Sequence, residues 1–287
     1  MNTIGKRKLL SFLSEGEGIS TVTNYQVRRD EGRVAPSFPE LVEFVARLSF
    51  YNPEHVLLFR GQNNDWKNIR GNSSIKPSIF RPESGRRGSP GKAVLIRRYR
   101  KLHKAEELIA DAFAMEGLIG RERIARHRIL RWAILQHYEI CDTPLLDVTH
   151  SLRVAASFAT QGDHSPNPVV CVLGVPALGG SISASSEHGM QTIRLSSICP
   201  PQARRPYFQE GYLVGEYPEL MSFYEKSRYA PHEIDFGQRL LAKFRLPTTF
   251  WEPDHFPPIP KTALYPDARD HFLIEIARQI KEQLQQN

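Results

Sequence analysis

Apolar residues recur at helical spacing in several stretches of the chain. Leu41, Phe44, Val45 and Leu48 follow a capping box at residues 37–40, so a helix is predicted to about residue 50. The same spacing predicts helices over residues 93–116, over residues 121–139, after Thr149 or Ser151, and in a last amphipathic segment opened by Asp267 and Asp270. Helices therefore account for a large part of the chain.

Short runs of apolar and β-branched residues predict strands between these helices. The runs lie at residues 55–60, 169–175, 191–195, 207–214 and 241–246. A Gly-, Pro- and Ser-rich stretch at residues 81–92 is typical of a loop. Residues 1–36 are polar and irregular, so we expect a loosely attached N-terminal arm. We find no linker or repeat in the remainder, which predicts one α+β domain over residues 37–287.

Composition excludes several classes of protein. No apolar run reaches about 18 residues, so no segment is expected to span a membrane, and the brief apolar patch near the N-terminus is too short for a signal peptide. The 3 cysteines lie far apart without a CxxC pair, which argues against a disulfide framework or zinc knuckle and fits a reducing cytoplasm. Neither an HExxH nor a GxSxG motif occurs, and we expect no metal.

The charge of the chain is basic and uneven. The formal net charge is +7, and the excess is concentrated at residues 97–104 and in five arginines between Arg121 and Arg131. Such clusters bind phosphates in nucleic-acid partners, but they also occur as solvated helix faces. Charge alone leaves both interpretations open.

The first candidate site is an arginine at the end of an apolar strand. Arg60 follows three apolar residues and precedes Gly61 and Gln62. Placing a guanidinium there is costly unless an anion or a carboxylate receives it, and Gly61 allows a sharp turn or the close approach of a ligand. Either Arg60 pairs with a buried carboxylate such as Asp147, or it binds an anionic ligand.

The second candidate is a strand, a polar turn and a helix between residues 136 and 159. It begins with Gln136, His137 and Tyr138, and Asp147 and Thr149 alternate so that both can lie on one face of the strand. Free amides at the start of the following helix suit phosphate or ribose hydroxyls. The alternative is a cluster of capping residues that binds no ligand, with His137 as a structural histidine.

The third candidate is the predicted strand around Gln209 and Glu210. In a regular strand these neighbours point to opposite faces, so only one of them can face a cleft. A carboxylate stabilises developing positive charge better than an amide does, which favours Glu210.

Together these motifs resemble the FRG-domain family, named for the Phe-Arg-Gly that stands here at residues 59–61. Similar family features are the QHY, P-x-LLD-x-T and A-x-x-FA series from residue 136 to residue 159, the Q-x-G strand from Gln209, and the late Tyr-Pro-Asp turn at residues 265–267. The resemblance covers about residues 40–280. The chain departs from it in two places. The family often has Pro-Thr-Arg before Leu-Leu-Asp, where this chain has Thr143 and Pro144 without an arginine, and Leu213 replaces a phenylalanine.

The order of these motifs is similar to that of ADP-ribosyltransferases. That similarity implies a split β-sandwich core with flanking helices and NAD as a substrate. It implies that Arg60 contacts the NAD phosphates and takes part in catalysis, and that Glu210 or Gln209 stands at the catalytic glutamate position. The NAD-binding residues that it implies are Arg60, Gly61, Gln62, His137, Tyr138, Asp147 and Thr149.

The expected function is therefore ADP-ribosyl transfer from NAD to a macromolecule, with nucleic acid slightly ahead of protein because of the basic helices. The resemblance also allows a toxin or phage-defence role with an antitoxin or immunity partner. One alternative is a non-enzymatic module that binds a nucleotide or nucleic acid. Another is a nuclease-like toxin that uses His137 and Asp147.

Overall fold

The structure is a computed structural model. It describes residues 4, 8–16, 18–84, 86, 88–161, 167–176, 179–201, 203–227, 234–252, 254–266 and 271–286. The helices in these parts of the chain are α1 (Asn24–Arg29), α2 (Phe38–Tyr51), α3 (Lys92–Met115), α4 (Arg121–Arg126), α5 (Arg128–His137), α6 (Leu152–Thr160), α7 (Arg205–Phe208), α8 (Phe223–Lys226), α9 (Lys261–Leu264) and α10 (His271–Gln283).

The strands form one large sheet and one small one. They are β1 (Leu9–Ser11), β2 (Ser20–Val22), β3 (Arg33–Val34), β4 (Val56–Gln62), β5 (Leu146–Thr149), β6 (Val169–Val175), β7 (Ile182–Ser185), β8 (Met190–Arg194), β9 (Gly211–Glu216) and β10 (Leu240–Arg245). β1 and β2 pair with each other, and the 8-stranded sheet has the order β3-β10-β6-β4-β5-β9-β8-β7. Its pairs are antiparallel except β3 with β10. The predicted α+β class is confirmed.

The large sheet separates between its two central strands. Among the described residues, Phe59 with Thr149 is the single register pair that joins β4 to β5. By contrast, β4 pairs with β6 along its whole length, and β5 pairs with β9 through all of its residues. The sheet therefore consists of two four-stranded halves that part beside Arg60 and Asp147. Backbone groups at this position lack the neighbouring strand that would otherwise satisfy them.

Helix α6 packs directly on β4 and holds it in place. A Cβ atom at Gly61 would lie 1.9 Å from the carbonyl oxygen of Ala155 and 2.7 Å from the amide nitrogen of Ala159. Gly61 is therefore required by helix–strand packing, and it lies inside β4 without a sharp turn. Elsewhere α1 packs on β10, and α3 packs against α4, α5 and α10.

The N-terminal segment corrects one expectation. Leu9, Phe12 and Val22 are buried in the main core. The Asn24 amide donates hydrogen bonds to the carbonyl oxygens of Gly237 and Leu240, at 3.0 and 2.8 Å. In its described residues, the segment before residue 37 is thus an integral part of the fold, and the expectation of a loosely attached arm is wrong. Its elements are too short to show a periodicity.

Most other predicted elements are confirmed, with two corrections. The helix predicted over residues 121–139 is divided into α4 and α5 by His127, whose backbone is extended. The strand predicted over residues 207–214 begins only at Gly211, because residues 205–208 form α7. The expected start of the last helix, at Asp267 and Asp270, lies outside the described residues. Among those described, no helix is long and apolar enough to cross a membrane.

Candidate functional site

A cleft of about 1580 Å³ opens where the two halves of the sheet part. Its wall includes the ends of β4 and β5, residues 66–72, the turn before β9, and Tyr265. Seven of the residues expected at the site line it: Arg60, Gly61, Gln62, His137, Asp147, Thr149 and Gln209. Tyr138 and Glu210 do not line this cleft.

Arg60 lies at the centre of the cleft and is incompletely hydrogen-bonded. Its Nη1 donates to the backbone carbonyl oxygen of Asp147 at 2.6 Å, across the separation between β4 and β5. Its Nε is buried without a hydrogen-bond partner among the described residues. Desolvation lowers the pKa of Arg60, although Asp147 acts in the opposite direction. The guanidinium therefore contacts the backbone of Asp147, not its carboxylate, and keeps a donor available for another acceptor.

The carboxylate of Asp147 is fixed in orientation by its neighbours. Gln136 Nε2 donates to Oδ2 at 2.7 Å, and His137 Nδ1 lies 3.6 Å from Oδ1. Thr143 Oγ1 in turn donates to Gln136 Oε1 at 2.6 Å, which sets the direction of that amide. Desolvation raises the pKa of Asp147, but His137, Gln136 and Arg60 outweigh it and hold the pKa below its usual 3.8. The side chain is 40% exposed and ionised at neutral pH.

His137 and Tyr138 support this carboxylate from the protein interior. The His137 side chain is only 2% exposed, and the Tyr138 ring packs edge-on against it with 5.4 Å between ring centroids. His137 thus lines the cleft with little exposed surface, and its Nδ1 lies on the side of Asp147 Oδ1.

The hydroxyl of Thr149 is engaged within the protein. Thr149 Oγ1 donates to the carbonyl oxygen of Gln209 at 2.7 Å and accepts from the amide of Ser151 at 2.9 Å. It thus joins the end of β5, the start of α6 and the turn before β9. Asp147 and Thr149 both line the cleft, as the alternation predicted. The capping interpretation describes the contacts of Thr149 itself.

Gln209 and Glu210 do not lie on a regular strand. Gln209 is the C-cap residue of α7, and Glu210 follows with a φ of 43°, in the left-handed region. Gln209 is 7% exposed, and its Nε2 donates to the carbonyl oxygen of Leu264 at 2.9 Å. Glu210 is exposed outside the cleft. The argument from strand alternation is therefore wrong, and an amide occupies the position expected for a carboxylate.

Positive charge dominates the cleft. Among the described residues, eight lysine and arginine side chains line it against three carboxylates: Arg28, Arg60, Lys67, Arg70, Lys76, Arg81, Arg86 and Arg205, against Glu139, Asp147 and Asp235. Two of the carboxylates are in ion pairs, Asp235 with Arg28 at 2.6 Å and Glu139 with Arg205 at 3.1 Å. Asp147 is therefore the carboxylate not committed to a lysine or arginine side chain.

Arg60 and Arg81 repel each other across this cleft. Burial and, next, the charge of Arg60 lower the pKa of Arg81 to about 10, while Asp147 opposes the shift. An anion bound between the two guanidinium groups would relieve this repulsion and satisfy the Arg60 Nε.

Two aromatic side chains, Phe158 and Tyr265, line one side of the cleft together with Arg205. The guanidinium of Arg205 lies over the Tyr265 ring at 4.6 Å and over the Tyr138 ring at 5.6 Å. Phe158 meets Tyr265 edge-on, with 5.9 Å between centroids. Tyr265 comes from the late Tyr-Pro-Asp turn, whose Asp267 lies outside the described residues.

The arginine cluster of residues 121–131 lies elsewhere and is divided in its roles. Arg128 Nε and Arg131 Nη2 lie 2.7 and 3.3 Å from a carboxylate oxygen of Glu106, which is buried. Trp132 Nε1 donates to the same carboxylate at 2.6 Å. These arginines neutralise an internal charge, so the cluster does not form one phosphate site. No pattern in the sequence predicts these ion pairs with Glu106.

The described residues contain no cluster of His, Cys, Asp or Glu side chains that could hold a metal ion. Cys141, Cys171 and Cys199 form no disulfide bond. The Cys171 thiol donates to Gln62 Oε1 at 3.5 Å, and burial raises the pKa of this thiol to about 12. The thiol is therefore protonated at neutral pH.

Comparison with known proteins gives one match. Residues 55–167 match the family model described as FRG domain. This interval contains Arg60, Gln136, His137 and Asp147, whereas the turn with Gln209 lies outside it. No curated protein and no solved structure matches the chain.

Proposed function

Because this chain carries an FRG domain over residues 55–167, and because Arg60 and the fixed carboxylate of Asp147 line the same cleft, we propose that it binds NAD and transfers ADP-ribose to a macromolecule. The observation that carries the proposal is Arg60, whose buried Nε has no acceptor in the described part of the chain, beside the ionised Asp147. A buried, unsatisfied cationic donor is costly and is typical of a ligand site.

The pyrophosphate of NAD matches the basic part of the cleft. Its two negative charges fit Arg60 and Arg81, whose planar guanidinium groups can each receive phosphate oxygens bidentately. The cleft, at about 1580 Å³, exceeds the roughly 300–1,000 Å³ of common small-molecule sites. That volume accommodates a dinucleotide and leaves space for part of a second substrate.

Asp147 is suited to assist cleavage of the bond between nicotinamide and ribose. When this bond breaks, its electron pair leaves with nicotinamide, and positive charge develops on the ribose. The Asp147 carboxylate, held ionised and oriented by Gln136 and His137, would stabilise that charge. A nucleophile on the target then attacks the ribose C1′ and loses its proton to solvent. This assigns to Asp147 the charge-stabilising role for which the sequence favoured the carboxylate of Glu210.

Release of nicotinamide from NAD, in the presence of DNA, RNA or protein, tests the proposal. Asp147→Asn should lose release although the variant remains folded near neutral pH, whereas Glu210→Gln, the same chemical change outside the cleft, should retain it. Loss in the Glu210 variant alone would return the role to Glu210. Gln209→Ala should weaken release moderately, because it removes the contact to Leu264.

One observation favours a second candidate, a non-enzymatic nucleotide-binding module. The amide of Gln209, not a carboxylate, lines the cleft at the third motif, so catalysis depends on Asp147 alone. Wild-type protein that binds NAD but releases no nicotinamide with any target would support this candidate. Nucleic acid remains ahead of protein as the proposed target because the cleft is basic, and an antitoxin or immunity partner stays a prediction.

A further inference from the structure

Residues 66–74 form a short hairpin at the edge of the cleft, here called the cleft hairpin. Lys67 pairs with Ser73 in an antiparallel bridge, and the Ser74 amide donates to the Trp66 carbonyl oxygen at 2.8 Å. At the tip, the Gly71 amide donates to the carbonyl oxygen of Asn68 at 2.9 Å. Gly71 has a φ of +75°, which a glycine adopts without strain.

Hydrogen bonds hold the cleft hairpin in one conformation. Asn68 Oδ1 accepts from the amides of Arg70 and Asn72 at 3.0 and 3.1 Å. At its base, the buried Lys243 Nζ donates to Ser73 Oγ at 2.6 Å and to Asp65 at 2.7 Å. The hairpin is therefore preorganised, and a ligand would not have to order it.

Its outer surface combines exposed apolar side chains with positive charge. Trp66 is 56% exposed and Ile69 is 77% exposed. Lys67 and Arg70 alternate with them, and all four residues line the same cleft as Arg60. Large apolar side chains held in solvent beside cations are typical of binding surfaces.

We propose that the cleft hairpin binds single-stranded nucleic acid, with a base stacked on Trp66 and phosphates beside Lys67 and Arg70. An exposed aromatic ring beside basic groups suits a single strand, because every base has a face to stack and every linkage carries a charge. In a duplex the bases are already stacked and cannot lie on the indole. The further step, presentation of a nucleotide to the inner cleft, rests on the proposed transferase function.

Binding is measured without NAD, by fluorescence anisotropy of a short labelled single strand and of its duplex, over a series of salt concentrations. Trp66→Ala should weaken single-strand binding by about tenfold. Lys67→Gln with Arg70→Gln should reduce the slope of log affinity against log salt by about 1.4, at about 0.7 per phosphate contact. The control, Arg123→Gln with Arg126→Gln, removes the same charge from exposed positions of α4 outside the cleft and should change neither value by as much.

The inference is overturned if the wild type binds no single strand at low salt, if it binds the duplex equally well, or if the α4 control loses as much as the hairpin variants. Melting temperatures check that the variants fold, and the exposure of Trp66 makes its replacement mild. Single-strand binding without nicotinamide release would retain the hairpin inference and reject the transferase. Nicotinamide release with labelling of protein, but without oligonucleotide binding, would retain the transferase and reject the hairpin inference.

Discussion

Replacing Arg60 with methionine separates a ligand-binding arginine from a structural one. The arginine contributes one charged hydrogen bond, at 2.6 Å to the Asp147 carbonyl oxygen, which is worth about 1.5–3 kcal/mol. Against this, its buried Nε has no acceptor among the described residues, which costs about 1–3 kcal/mol. These effects offset each other, so Arg60→Met should change the free energy of unfolding by less than about 2 kcal/mol. Removing one partner of a buried ion pair would instead cost about 3–5 kcal/mol.

Urea denaturation gives the stability, and titration calorimetry gives the affinity for NAD. We expect the affinity to fall by about 1.5–3 kcal/mol, or roughly 10- to 150-fold, because charged hydrogen bonds to phosphate are lost. The NAD affinity of Arg60→Lys should lie between those of the wild type and of Arg60→Met, since lysine keeps the charge but lacks the planar guanidinium. A destabilisation above about 3 kcal/mol together with unchanged NAD affinity would refute the reasoning and make Arg60 structural.

Three further changes test the packing and electrostatics. Gly61→Ala should destabilise the protein by about 3 kcal/mol through overpacking, since its Cβ would lie 1.9 Å from a carbonyl oxygen of α6. The control is Gly91→Ala, where no atom lies within 4 Å of the added Cβ, and equal urea midpoints for the two variants would contradict the prediction. Asp147→Asn should lose less stability than the wild type on acidification. The depressed pKa of Asp147 stabilises the wild-type fold above the usual value of 3.8, and that contribution is lost as the pH falls below it. Parallel stability curves for the two proteins, measured down to about pH 3, would argue against the shift. Glu106→Ala should lower the free energy of unfolding by about 3 kcal/mol, because buried donors lose their acceptor. Arg123→Gln should change it by no more than about 0.5 kcal/mol. Similar melting temperatures for both variants would reject the internal role of Glu106.

Much of the secondary structure could be predicted from the sequence because the elements are long and regular. Strand β6 is a continuous apolar run, and α2 is capped by Ser37, whose hydroxyl accepts from the Glu40 amide. Such signals depend on neighbours within a few positions. The segment before residue 37 gave no such signal, because Leu9 and Val22 lie on strands of only three residues and Phe12 lies just after the first of them. Their burial depends on distant strands.

The candidate site was predictable only in part. Arg60 and Asp147 stand out in the sequence because a charged side chain within an apolar stretch is costly to bury without a partner or a ligand. Both line the cleft. The choice between Gln209 and Glu210 assumed a regular strand, but the backbone at Glu210 takes a positive φ and ends the alternation. The cleft hairpin could not be found from the sequence, since its cations and Trp66 follow no period.

The sequence by itself determined the α+β class, most of the longer elements and the identity of the central arginine and aspartate, because these depend on local periodicity and on the cost of burying charge. Only the tertiary structure decided which partner each charged side chain contacts. It joined Arg128 and Arg131 to a buried Glu106 across two helices, and it left Arg60 with an unsatisfied donor where two halves of a sheet separate. Electrostatic interactions depend on distance in space and on burial, and neither follows from separation along the chain.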